Sequence, residues 1–244
     1  MFDSRGAHQE FVCDCGEIGR HKRLKISRFN QRTGSIPVSR TKGIITLCVL
    51  TPLLMIEYPS PASNLQIYRT QIEGWDIDSS GAWETAQEWM ERGNPDHYLN
   101  APGLGSTVRQ NNQLHLLDQW SPLADQVLVH AERAWNSLID DQFRHIKNPK
   151  LYVIELWTNY TDAGHWGCGR HDHACPLVGT YYPEGTPAMG PLIIYEDSDD
   201  QQGIQVDIHA GELILFPGTL DHRVGFNSTD QIRRAVAINI AWQS

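Results

Sequence analysis

From residue 151 onward the chain is cut into short stretches of β-branched and aromatic residues, most of them stopped by Gly, Pro, Asp or Asn. The stretches are 151–159 (LYVIELWTN), 171–182, 191–196 (PLIIYE), 204–208 (IQVDI), 212–217 (ELILFP) and 232–242 (IRRAVAINIAW). Runs of this length and composition read as strands. Short strands in such a row hide their edges by closing into a barrel or stacking as two sheets. What precedes them is helical. Residues 81–92 (GAWETAQEWMER) predict a short amphipathic helix ending before Gly93-Asn94-Pro95. Ser121-Pro122 forms an N-cap and first-turn pair, and Leu123, Val127, Ala131, Trp135, Leu138 and Ile139 recur mostly at steps of three and four. That spacing predicts a long helix to about Phe143. Residues 100–117, polar and rich in Gly, Asn and Gln, read as a loop or irregular edge. Helices first and strands after define an α+β domain whose β half is a sandwich or barrel, with the helices as N-terminal supports.

Charge narrows the partners. The net charge of the 244 residues is −9. Residues 1–54 hold nine Lys/Arg against four Asp/Glu, a net of +5, which leaves −14 on the remainder. An acidic body disfavours nucleic acid and points to a small molecule or a protein side chain as the partner. Five Cys without a framework spacing exclude a disulfide-stapled secreted module, so the expected compartment is the cytoplasm. The apolar run Ile44–Ile56 is 13 residues long with Pro52 inside, too short and broken for a membrane span. Residues 1–54 read as a disordered or non-native basic extension, with a targeting extension and a buried strand on a basic arm as the other readings. Residues 55–244 read as a single domain with its β core at about 150–244.

The chemistry concentrates in the β half. His171 and His173 (GRHDHAC) stand two apart in an expected strand, where a period of two puts both imidazoles on one face and Asp172 on the other. His222 follows in GELILFPGTLDHRVGFN. An H-x-H pair with one distant His makes a three-nitrogen metal face suited to iron, zinc, copper or nickel. His165 and His209 read as surface groups, and His130, inside the long helix, as a surface or packing residue. Arg233 shares its strand face with Ala235, Ala237 and Asn239, which are small or polar, so it points into something roomy. A guanidinium in a cavity suits a carboxylate held bidentately. The plain alternatives are surface histidines and an ordinary salt bridge.

The stretches NYTDAGHWGCGRHDHACPLVGTYYPEGTPAMGPLIIYED, AGELILFPGTLDHRVGFN and RRAVAINI, in that order, resemble the Fe(II)/2-oxoglutarate-dependent oxygenase superfamily, in a branch with an H-x-H…H metal motif. The resemblance implies a double-stranded β-helix, a jelly-roll or cupin-like barrel. It maps His171, His173 and His222 to the metal and Arg233 to the distal carboxylate of 2-oxoglutarate. Asn159, Tyr181 and Tyr182 map to the cosubstrate pocket. It further implies Fe(II), 2-oxoglutarate and O2 as cofactors of a dioxygenase that hydroxylates a C–H bond.

Two departures stand out. The wider superfamily uses a carboxylate where His173 stands, which leaves Asp172, and more weakly Asp221, as competing ligands. Ala235 occupies a position where many relatives carry a hydroxyl that grips the cosubstrate. The alternatives are a cupin-type metalloenzyme that does not use 2-oxoglutarate and a non-catalytic β-barrel binding module. Against the first, cupins normally add a Glu shortly after H-x-H, where this chain has Ala174 to Val178. Cys168 and Cys175 flank the pair and read as ordinary thiols, and Glu196-Asp197-Ser198-Asp199-Asp200 reads as a solvated turn.

Overall fold

The computed structural model describes residues 54–57, 65–92, 103–108, 111–138, 145–147, 149–197 and 199–243. The basic extension, apart from Leu54, and the expected helix end at 139–143 lie outside the described residues. In chain order the elements are β1 (Leu54–Glu57), β2 (Gln66–Gln71), α1 (Ala82–Glu91), β3 (Leu104–Ser106), α2 (Ser121–Leu138), β4 (Lys150–Thr161), β5 (Leu177–Tyr182), β6 (Leu192–Tyr195), β7 (Ile204–Val206), β8 (Glu212–Pro217), β9 (Asp221–Val224) and β10 (Arg233–Gln243). Short 3₁₀ turns lie at Leu114–Leu116 and Pro187–Met189. Among the described residues no helix is long and apolar enough to cross a membrane.

Two antiparallel sheets form. The larger has the order β1-β2-β8-β5-β10-β4-β3 and the smaller β7-β6-β9. The longest ladder joins β10 to β4, from Arg233 opposite Thr161 to Gln243 opposite Lys150, with a bulge at Asn239/Ile240. Period-two alternation splits the large sheet into two apolar faces. Leu177, Tyr181, Leu213, Leu215, Val236, Ile238 and Ile240 face outward, where α2 covers them with Leu123, Val127, Ala131, Trp135 and Leu138. Val178, Tyr182, Ile214, Phe216 and Ala235 face inward and meet Leu192, Ile194 and Val206 of the small sheet. The helices therefore support one sheet from outside, and the space between the sheets is the barrel interior.

The segment 164–173 closes the small sheet's open side. His171 N donates to His222 O (3.0 Å) and His222 N to His171 O (2.8 Å). Val224 N reaches Cys168 O (3.4 Å), and Trp166 bridges Phe226.

Here the structure departs from expectation. The predicted strand at 171–182 is regular only from Leu177, and H-x-H sits before it on an irregular stretch with one bridge. Residues 100–117, expected as a loop or irregular edge, hold β3 at the edge of the large sheet and a 3₁₀ turn. Strands β2 and β9 have no counterpart in the sequence reading, because QIYRTQ and DHRV lack a long β-branched apolar run and gain their stability from pairing.

Candidate metal centre

His171 and His173, from the segment 164–173, converge with His222 of β9. Their ring nitrogens all lie within 4.8 Å of one another. The ring centroids are 5.1 Å apart for His171–His173, 4.5 Å for His171–His222 and 5.1 Å for His173–His222. Main-chain hydrogen bonds hold the group: His171 is paired to His222, and His173 N donates to Gly218 O at 2.9 Å. Gly218 is required there, since a Cβ at this position would run into the carbonyl oxygen of Cys175.

The tautomers follow from the partners. His171 Nδ1 lies 2.7 Å from Gly169 O and His222 Nδ1 lies 3.1 Å from Leu220 O. A carbonyl only accepts, so each Nδ1 carries a hydrogen and Nε2 is the nitrogen left to ligate, the usual arrangement for a metal-ligating histidine. Burial, reinforced by the neighbouring imidazoles, pushes His173 down to about 3 and His222 well below 6.5. Both are neutral at neutral pH, as a ligand must be. Phe216 stands edge-on to His222 (4.9 Å) and Trp157 tilts toward His173 (5.7 Å), giving the group apolar walls.

No carboxylate joins them among the described residues. Asp172 is exposed, and Asp221 is turned to Arg170 in a 2.8 Å ion pair. Cys175 is buried, its thiol pushed up to about 12 by desolvation and directed at Leu177 O. The three imidazoles fit a divalent transition metal of the kind such ligands take, and that fit rests on the donor set itself.

Arg233 is 2% exposed. Its Nη1 donates to Met189 O (3.0 Å) and Gly225 O (3.2 Å), and its Nη2 to Thr161 Oγ1 (2.9 Å). All three acceptors are neutral, and no described carboxylate pairs with it. Beside it lies Tyr182, fully buried, whose hydroxyl has no hydrogen-bond partner among the described residues. The two groups are close enough for the tyrosine to act on the guanidinium electrostatically. Gly167 packs against the same guanidinium: a Cβ there would stand 2.6 Å from Arg233 Nη2.

Asn159 is half-buried on the β4 face it shares with Thr161, opposite Ala235. Tyr181 is not brought to this site. It lies on the helix side of the sheet, edge-on to Trp75 at 5.6 Å. His165 and His209 are exposed, and His130 bonds the Tyr68 hydroxyl through Nδ1 at 2.9 Å. Thr161 and Gly167 escaped the sequence reading. The signal for Thr161 was its place two residues beyond Asn159, on the same face of one strand.

No family model matches the chain, and no curated protein matches it. Solved structures do. The chain is similar to the non-heme alpha ketoglutarate dependent epimerase SnoN from nogalamycin biosynthesis, at 13% identity and a TM-score of 0.52, over 72% of this chain and 76% of that one. The structure of SnoN in complex with Fe3+, alpha ketoglutarate and nogalamycin RO matches at 13% identity and a TM-score of 0.50, over 72% and 78%. At that identity the likeness defines the fold. The fold is a double-stranded β-helix with N-terminal supporting helices, as in 2-oxoglutarate/Fe(II) oxygenases.

Proposed function

We propose that this chain is an Fe(II)- and 2-oxoglutarate-dependent oxygenase acting on a C–H bond of a small molecule or a protein side chain. The observation that carries this is Arg233. A buried guanidinium with three neutral partners, beside a buried hydroxyl with none, is a site built for a carboxylate. It belongs to the same barrel interior as the imidazole group.

His171, His173 and His222 would hold the metal, with Nδ1 of His171 and His222 engaged by Gly169 O and Leu220 O. Arg233, Thr161 and the Tyr182 hydroxyl take the distal carboxylate of 2-oxoglutarate, with Asn159 on the adjoining wall. Bound there, Fe(II) with 2-oxoglutarate and O2 would supply the oxidising power for C–H oxidation. Phe216 and Trp157 give the imidazoles apolar neighbours. Hydroxylation is the simplest outcome.

An anaerobic Fe(II) titration in the presence of 2-oxoglutarate, followed by the visible charge-transfer absorption of the chelate, tests the reading. A band in the wild type is expected, absent in His171→Ala and requiring far more 2-oxoglutarate in Arg233→Ala. Metal binding without any band overturns the cosubstrate and favours a cupin-type metalloenzyme, for which an all-imidazole set also suffices. No metal binding leaves a non-catalytic binding barrel.

A further inference from the structure

We infer that Glu155 anchors the substrate, and that the substrate carries a cationic nitrogen, an alkylammonium or a guanidinium. The inference rests on the oxygenase reading and names the substrate class of that same site.

Strand register brings Glu155 to the imidazole group. Across the large sheet Glu155 stands opposite Asn239, Asn239 opposite Val178, and Val178 opposite Phe216. Val178 and Phe216 face the barrel interior, and the Phe216 ring meets that of His222 at 4.9 Å. On β4, two residues beyond Glu155, Trp157 tilts toward His173 at 5.7 Å. The row that holds Glu155 therefore crosses the inner face at the level of the imidazoles. Arg233 begins β10, well before Asn239 on the same strand, so the proposed cosubstrate carboxylate site is a separate place on this face.

At that level the chain offers acceptors and no cation. Glu155 Oε1 accepts from Asn112 Nδ2 (2.6 Å) and Oε2 from Asn239 Nδ2 (2.8 Å). No described Lys or Arg pairs with it, whereas Glu212 is bidentate to Arg69 at 2.6 Å and Asp221 lies 2.8 Å from Arg170. One amide on each oxygen fixes the carboxylate in place and leaves further lone pairs for a ligand. Asn239, 7% exposed, gives its Nδ2 to Glu155, and its buried Oδ1 has no partner among the described residues. A half-buried charge met only by neutral donors, next to an acceptor met by none, is stabilised by a group that brings positive charge and several N–H donors. Ammonium and guanidinium are such groups. Ile154, Val178 and Phe216 line the same interior and suit the carbon chain behind the nitrogen. The net charge of −9 draws cations toward the molecule.

The test is calorimetry on the full chain loaded with Co(II), with 2-oxoglutarate titrated first and the probes added at its saturation. The probes are n-butylguanidine and n-butylamine, cations at neutral pH, each set against its neutral counterpart, n-butylurea and 1-butanol. Co(II) absorption is recorded throughout, because a ligand beside the imidazoles alters it and one on the outer surface does not. In at least one pair the cation is expected to bind about tenfold tighter than its counterpart and to change the absorption. Glu155→Gln is expected to bring cation and counterpart level, and Glu155→Asp, which keeps the charge, to retain the preference. The wild-type probe pairs decide the matter even if a variant fails to fold.

Three results overturn the inference: no cation preference in either pair, cation binding that leaves the Co(II) absorption unchanged, or a preference undiminished in folded Glu155→Gln. If 2-oxoglutarate binds in that same experiment, the oxygenase reading stands without the inference. The converse is equally readable. Failure of 2-oxoglutarate to bind, with a Glu155-dependent cation preference intact, overturns the oxygenase reading and leaves Glu155 as a cation anchor beside the imidazoles.

Discussion

Removing the Tyr182 hydroxyl separates a binding role from a structural one, because the two predict opposite signs. The side chain is fully buried and its ring packs with Val178, Ile214 and Phe216, so Tyr182→Phe keeps the packing and deletes one oxygen. That oxygen has no hydrogen-bond partner among the described residues. A buried hydroxyl without a hydrogen bond costs about 1–3 kcal/mol, so its removal leaves ligand-free stability unchanged or raises it. For a chain of this size, a gain of about 1 kcal/mol lifts the melting temperature by roughly 2–4 °C. Binding moves the other way. A hydrogen bond to a charged group is worth about 1.5–3 kcal/mol, so losing one to the distal carboxylate weakens 2-oxoglutarate roughly 10- to 150-fold. The assay is thermal melting of the Co(II)-loaded variant and wild type across a 2-oxoglutarate series, with metal-free melts alongside. A ligand-free melting temperature that falls by several degrees would show that the hydroxyl already has a structural partner. Unchanged 2-oxoglutarate affinity would remove Tyr182 from the cosubstrate site.

Gly167→Ala pushes a methyl group to 2.6 Å from both Arg233 Nη2 and Val224 Cβ. It is expected to cost about 1–3 kcal/mol of stability and to weaken 2-oxoglutarate while sparing Co(II), measured by calorimetry; wild-type affinity for both refutes the contact. Arg69→Ala leaves the Glu212 carboxylate buried without its counter-ion and is expected to cost about 3–5 kcal/mol. Arg69→Met with Glu212→Leu is expected to cost much less, and urea unfolding of both variants decides. Acid should destabilise the metal-free chain through its own ligands. His173 and His222 protonate at lower pH in the folded chain than at the ordinary 6.5. Their contribution is therefore complete above about pH 6.5 and is lost as the pH falls toward 3, by up to about 1.4 kcal/mol per pH unit for each histidine. Urea midpoints that stay level from pH 7 to 5 contradict this.

The parts of the fold legible in the sequence are those whose burial is one-sided or complete. The α2 stripe from Leu123 to Leu138 and the strand ELILFP of β8 both reveal themselves through apolar pattern, because they are packed by it. β2 and β9 are held by something that no local pattern carries. Arg69 points into the barrel because Glu212, far along the chain, meets it there, so a charge that reads as surface is core. The histidine group was legible for a partly mistaken reason. Period-two geometry puts both residues of H-x-H on one face, yet they sit on an irregular stretch where bonds to His222 and Gly218 do the aligning. Neighbouring Tyr181 and Tyr182 expose the limit of reading a motif as a block. In a strand, adjacent side chains take opposite faces, so only one of them can enter the barrel.

Arg233 and Arg234 carry that argument to its end. They are consecutive, chemically identical and carried by the same strand, yet their surroundings differ completely. Arg234 faces out, bonded to Glu184 (2.5 Å) and to both oxygens of Asp78 (2.5 and 2.9 Å), with its guanidinium over Trp83 at 5.0 Å. These partners hold its charge firmly, pushing its pKa above the ordinary arginine value. Arg233 faces in, where burial works against its charge and no described carboxylate answers. A one-residue slip of β10 against β4 would exchange them and turn Val236, Ile238 and Ile240 away from α2, which is why eleven paired positions set the register. The fold stabilises the outer arginine with its own acids. Among the described residues the inner one has neutral acceptors instead, the arrangement that the proposed carboxylate site requires.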